Sequence, residues 1–217
     1  MYIQLNGQIL SYEKEGEGSP IIFLHGNGET HAIWDRMIAE MSMDHTVYAI
    51  DSRGQGESAT PKEYHYKDRA ADVICFIESL HIEKPVLCGF SDGAIITLLV
   101  AFKRKDLLSA IVLCGANLSP KGLTGSARRE IKSLYKKTNS PLVEMMLLEP
   151  DIAPDKLRSI NLPALVCAGS KDMIKPKETQ TIAEHLPQAT LHIFEGETHG
   201  SYVEHTDKLA PVLRKFL

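Results

Sequence analysis

Residues 86–93 read Val86-Leu87-Cys88-Gly89-Phe90-Ser91-Asp92-Gly93, and a mostly apolar stretch follows as far as Lys103-Arg104-Lys105. The run that ends at Cys88 lacks polar alternation, as a strand buried on both faces requires. The stretch from Asp92 reads as a helix, with its basic residues placed favourably at the C-terminal end. A serine between such a strand and such a helix, with glycine two positions away on each side, is a G-x-S-x-G pattern in the context that gives it meaning. The turn must be sharp and strained to lift the hydroxyl above the sheet, and larger residues at 89 and 93 would clash with it. The free N–H groups and positive end of the helix then face the serine. Ser and Asp are also ordinary helix caps, so the placement carries the reading rather than the pentapeptide.

Outward from this turn, apolar runs recur at 20–24, 46–50, 110–114 and 164–168, and a more polar one at 190–194 suits a sheet edge. Residues 2–14 form two alternating stretches around Asn6-Gly7, the signature of a tight hairpin. Residues 66–80 carry Ala70, Val73, Ile74 and Ile77 at helical spacing, and 202–217 read as a closing helix despite Pro211. Strands alternating with helices predict an α/β fold, a mostly parallel sheet covered on both faces. The segment 117–161 breaks the rhythm. It predicts a basic helix at 126–137 and a short apolar one at 142–148, an insertion on a single domain spanning 1–217.

In an open parallel sheet, ligands bind at the C-terminal strand ends, and the candidate chemistry collects there. His25-Gly26-Asn27-Gly28 follows the run 20–24. Acyl transfer needs two backbone N–H donors for the developing oxyanion, and the expected pair is Asn27 and Asp92. His25 is expected to be a structural hydrogen-bonder. A serine hydroxyl needs a base, and among nine histidines His199 is best placed, in the loop Glu197-Thr198-His199-Gly200 after the last run. Apart from His25, the remaining seven sit in strands, helical stretches or surface stretches. Asp172, in Gly169-Ser170-Lys171-Asp172 at the end of 164–168, is the expected carboxylate partner. Asp51 also ends a strand but precedes the serine, and is read as bonding backbone groups of its own loop. The order Ser91, Asp172, His199 is the nucleophile–acid–base order of this architecture.

The chain has 217 residues, 43% hydrophobic and 24% charged, with a formal net charge of −4. That balance disfavours a nucleic-acid partner, which calls for positive charge. No apolar run is long enough to cross a bilayer, so membrane insertion is not expected. The N-terminus has no secretory pattern. Three of the four cysteines lie inside apolar runs and none forms a metal-ligand spacing, which suits a reduced, cytoplasmic protein with no metal.

With these residues in view, the chain resembles the α/β-hydrolase superfamily. The matching segments are His25-Gly26-Asn27-Gly28, the stretch from Asp51 to Ser58, Gly89-Phe90-Ser91-Asp92-Gly93, Gly169-Ser170-Lys171-Asp172 and Glu197-Thr198-His199-Gly200. The resemblance implies eight strands with the second antiparallel; the chain departs from the many relatives with a substantial cap, since only part of 117–161 is available as a lid. The expected activity is carboxylic ester hydrolysis of a small molecule through an acyl-enzyme, with no cofactor. C–C bond hydrolysis of a diketone-like substrate and ligand binding without turnover are the alternatives. Trp34, Phe90 and Met145 are expected at the acyl pocket, though core packing suits the methionine equally. The Ser-Asp-Gly turn resembles that of valacyclovir-hydrolase-like amino-acid esterases, which would give Asp92 a role toward cationic substrates. The plainer reading makes Asp92 a favourable acid in the first turn of a helix, its side chain pointing away.

Overall fold

Each apolar run alternates between two cores, which is why the runs are buried on both faces. Along β3 (Ser19–Leu24), Ile22 and Leu24 enter one core and Ile21 and Phe23 the other. The same division holds for Tyr48 and Ile50 against Val47 and Ala49 on β4 (His45–Ile50). It continues through β5 (Val86–Phe90), β6 (Ala110–Cys114) and β7 (Ala164–Gly169). The structure, a computed structural model, describes residues 1–5 and 7–217. The expected Asn6-Gly7 turn therefore falls partly outside it, because Asn6 is not among the described residues.

The sheet has eight strands in the order β1-β2-β4-β3-β5-β6-β7-β8, with β1 (Tyr2–Leu5), β2 (Gln8–Glu15) and β8 (Ala189–Phe194) completing the set. β2 runs antiparallel to both neighbours and β3 to β8 are parallel, as expected. β8 lies at the edge and shows the partial burial its polar residues suggest.

One face carries α2 (Tyr66–Ser79), α3 (Asp92–Arg104) and α6 (Pro176–His185). The other carries α1 (Asp35–Met41) and α7 (Ala210–Phe216). The closing helix is shorter than the sequence suggests. Residues 202–209 are mostly turn, and α7 begins only at Ala210. Pro211 has no N–H and fits the first helical turn, so it marks the start of the helix rather than its middle. His205, expected inside this helix, sits in the turn with φ 51°.

The segment 117–161 folds into α4 (Gly125–Thr138) and α5 (Pro141–Leu148) with short 3₁₀ turns. The two helices share a separate small core of Leu123, Ala127, Ile131, Val143 and Ile174. Tyr135 Oη also donates to Glu144 Oε1 at 2.7 Å. Among the described residues, no helix is long and apolar enough to cross a membrane.

Candidate active site

Because β3 to β8 are parallel, the loops that follow β3, β5, β7 and β8 gather at one edge of the sheet. Ser91 has φ 52° and ψ −114°, the strained turn its sequence context demands. The flanking glycines have a steric cause: a Cβ on Gly89 would strike the Gly93 carbonyl, and one on Gly93 the Leu24 carbonyl.

The loop after β8 brings His199 Nε2 to 3.0 Å from Ser91 Oγ. On the far side of the ring, Nδ1 lies 2.6 Å from Asp172 Oδ1. The Asp172 side chain is almost fully buried and also accepts the Ile174 N–H at 2.8 Å. Nδ1–H therefore donates to the carboxylate, and the Nε2 lone pair meets the serine O–H. Gly115, just past β6 and at φ 63°, makes room for the ring: a Cβ there would sit 2.6 Å from His199 Cε1. That glycine was not singled out by the sequence reading, since it matches no motif.

Asn27 and Asp92 are brought together on the other side of Ser91. Asn27 Nδ2 donates to Asp92 Oδ2 at 2.8 Å. Among the described residues, no protein acceptor takes the backbone N–H of either residue. Both remain available to a substrate oxygen. The Asp92 carboxylate itself is buried and engaged. Tyr66 Oη donates to Oδ1 at 2.6 Å, and Arg69 Nη1 approaches Oδ2 at 3.3 Å. Burial raises the Asp92 pKa, while Arg69, Tyr66 and Asn27 oppose the rise. The carboxylate does not point away from the site, as the plainer reading has it: it borders the cleft, held there by Asn27, Tyr66 and Arg69. Tyr66 and Arg69 were missed because they lie on α2, with no local motif to mark them.

His25 is buried and neutral, as its structural role requires. The Ser52 N–H donates to Nε2 at 3.0 Å, and Nδ1 is 2.7 Å from the Gly26 carbonyl. Burial lowers the His25 pKa to about 4. Asp51 accepts the backbone N–H of His31 at 2.7 Å and of Glu57 at 3.0 Å, as anticipated.

The three residues expected at an acyl pocket lie elsewhere. Trp34 is fully buried, stacked on Phe23 at 4.6 Å under the α1–α7 face of the sheet. Phe90 packs behind the base, its ring 4.9 Å from that of His199. It projects from β5 into the same core as Trp34. Met145 is buried in the core under α2 and α3, and its neighbour Met146 lines the cleft. Adjacent residues on a helix point about 100° apart, so a one-residue offset exchanges core for cleft. Beside Ser91 and His199, the cleft is bounded by Tyr66, Asp92, Asn117, Leu123, Met146, Glu149, Met173 and Ile174, and encloses only about 10 Å³.

The chain is 24% identical to the human serine hydrolase BPHL over 250 residues, covering 99% of this chain and 85% of that protein. It is 22% identical to a pimeloyl-[acyl-carrier protein] methyl ester esterase of Aliivibrio salmonicida, covering 96% and 95%. The enol-lactonase structure from Burkholderia xenovorans superposes with a TM-score of 0.83 at 20% identity, covering 100% of this chain and 99% of the other. A profile of the alpha/beta hydrolase fold matches residues 19–144. With the eight-stranded sheet already described, the chain belongs to the α/β-hydrolase family.

Proposed function

We propose that the protein is a serine hydrolase that cleaves carboxylic esters of small molecules through an acyl-enzyme. The observation that carries this reading is the unbroken chain Asp172–His199–Ser91, with contacts of 2.6 and 3.0 Å. Ser91 Oγ attacks the ester carbonyl while its proton passes to His199 Nε2. The backbone N–H groups of Asn27 and Asp92 hold the oxyanion. Asp172 fixes the ring and stabilises the imidazolium. His199 then returns the proton to the departing alkoxide, and activates water to release the acid from Ser91.

Relatives that carry esterase and lactonase names support a hydrolase that acts on small esters. The cleft beside Ser91 is narrow and lined by Met146 and Met173, which favours a short acyl group. Hydrolysis of p-nitrophenyl esters from acetate to long chains is the test. A short-chain optimum that drops by at least about 10³-fold in Ser91→Ala is expected. Turnover that persists in Ser91→Ala, or none with any ester while diketone-like substrates are cleaved, would refute ester hydrolysis through this serine.

A further inference from the structure

The stretch from Asp51 to Ser58 matches the family, yet it takes no part in the steps above. Its turn is tight: Gly54 and Gly56 have φ 75° and 54°, and a Cβ on Gly56 would strike the Asp51 carboxylate. Between these glycines, the Gln55 N–H donates to the Ser52 carbonyl at 2.9 Å, and the Gln55 carbonyl accepts the Ser58 N–H at 3.1 Å. The Gln55 side chain is buried and leaves the turn for the oxyanion loop, where its Oε1 accepts the Gly28 N–H at 2.5 Å. Its Nε2 is also buried and has no acceptor among the described residues. The Gly28 N–H is thus the one polar group among them that this carboxamide meets.

Glu29 serves the other side of Asn27. Its Oε2 accepts the Gly26 N–H at 2.7 Å. A Cβ built on Gly26 would lie 3.1 Å from Ser91 Cβ, so this loop runs directly beside the nucleophile. The loop therefore presents three successive N–H groups. Side-chain oxygens take the first and the third, and the middle one, on Asn27, meets no protein acceptor among the described residues.

A backbone N–H lies in its peptide plane and turns only with that plane. Bonds at Gly26 and Gly28 fix the planes before and after the one that carries the Asn27 N–H. Gly28 has φ 75° and no side chain of its own to restrain it, so an outside acceptor is what holds its peptide. An oxyanion donor is most effective when it is aimed before the charge develops. We infer that Glu29 and Gln55 are positioning residues, whose side-chain oxygens pin the peptides on either side of Asn27 and aim its N–H at the substrate oxygen. The assignment rests on reading Ser91 as the nucleophile, with Asn27 and Asp92 as its donors.

Wild type, Gln55→Met, Glu29→Leu and Glu29→Gln test this with two readouts. The first is amide hydrogen exchange of Gly28, followed by NMR. Gly28 is exposed, so slow exchange there requires its bond to Gln55. Gln55→Met should exchange at least about tenfold faster than wild type at this amide. The second readout sets hydrolysis of p-nitrophenyl acetate against the Ki of phenylboronic acid, which forms a tetrahedral adduct on a nucleophilic serine. Acylation and deacylation both build the oxyanion, so a misaimed donor slows both steps. Gln55→Met and Glu29→Leu should each lower kcat about tenfold with KM within about twofold, and raise the boronic acid Ki by a similar factor. Glu29→Gln keeps an acceptor for the Gly26 N–H and should stay within about threefold of wild type in both. The positioning role is overturned by unchanged Gly28 exchange in Gln55→Met, or by kcat within about twofold of wild type in Glu29→Leu. It is equally overturned by a loss in Glu29→Gln as deep as that in Glu29→Leu, or by lost turnover without weaker boronic acid binding. The two Glu29 variants carry the test if Gln55→Met does not fold. Wild type that neither cleaves an ester nor binds the boronic acid removes the serine-hydrolase reading instead, and Gly28 exchange still decides whether Gln55 holds the loop.

Discussion

At the residue scale, Asp92 shows how a motif residue acquires a second task. Its backbone N–H is free at the mouth of α3, while its carboxylate joins Asn27, Tyr66 and Arg69 into one buried network. A carboxylate so engaged has little charge left to attract a substrate. Asp92→Asn is therefore expected to leave the preference between a cationic and a neutral ester within about twofold, measured as the ratio of kcat/KM. A fall in that ratio of tenfold or more would restore the role in cationic recognition. Asp92→Ala should cost about 3–5 kcal/mol in urea unfolding, because it strands the Arg69 guanidinium without its counter-charge. The expected nucleophile, base and acid were legible because each ends a strand beside a recognisable turn. The network was not, since Tyr66 and Arg69 reach Asp92 only through the packing of α2 beside α3. Trp34, Phe90 and Met145 were misplaced for a related reason: composition marks a side chain as apolar without saying which way it points.

At the element scale, the strands and the helices α2 to α5 follow from periodicity and sit within a few residues of their expected bounds. The exceptions are α1 and α6, to which the pattern assigns no helix, and the C-terminal helix, where Pro211 sets the start and the residues before it are mostly turn. The lid shows what periodicity omits. α4 and α5 are recognisable as helices, but their separate core and the way they close the cleft depend on which face each presents. Asn27 Nδ2 also reaches the Leu142 carbonyl at 3.2 Å, so the oxyanion loop and α5 are tied together. Met146 is the residue of α5 that meets the cleft, so under the proposed ester hydrolysis its length is expected to limit the acyl group. Met146→Ala should move the optimum of the p-nitrophenyl series toward longer chains, at a cost in stability of about 1–2 kcal/mol for this half-buried side chain. An unchanged chain-length profile would place the limit with Leu123, Met173 and Ile174 instead.

At the scale of the whole molecule, buried His25 and half-buried Glu29 set opposing pH dependences of stability. The folded protein keeps His25 neutral down to about 4, whereas the unfolded ring takes a proton near 6.5. Between those values the unfolded state binds more protons, so stability falls as the solution is acidified, by about 1.4 kcal/mol per pH unit and about 3 kcal/mol in all. Glu29 acts with the opposite sign. Its folded carboxyl holds a proton up to about 7, whereas the unfolded one releases it near 4.5. Its contribution is present below 4.5 and lost as pH rises toward 7. In the window from about 4.5 to 6.5 the two slopes oppose each other, with Glu29 the weaker because it is partly solvated. Glu29→Gln removes the offset and should leave stability falling more steeply with acid than in wild type. His25→Gln should flatten or reverse the wild-type slope. Urea midpoints at closely spaced pH values measure both, and a Glu29→Gln curve parallel to wild type would show that Glu29 gives up its proton equally in the folded and unfolded chains.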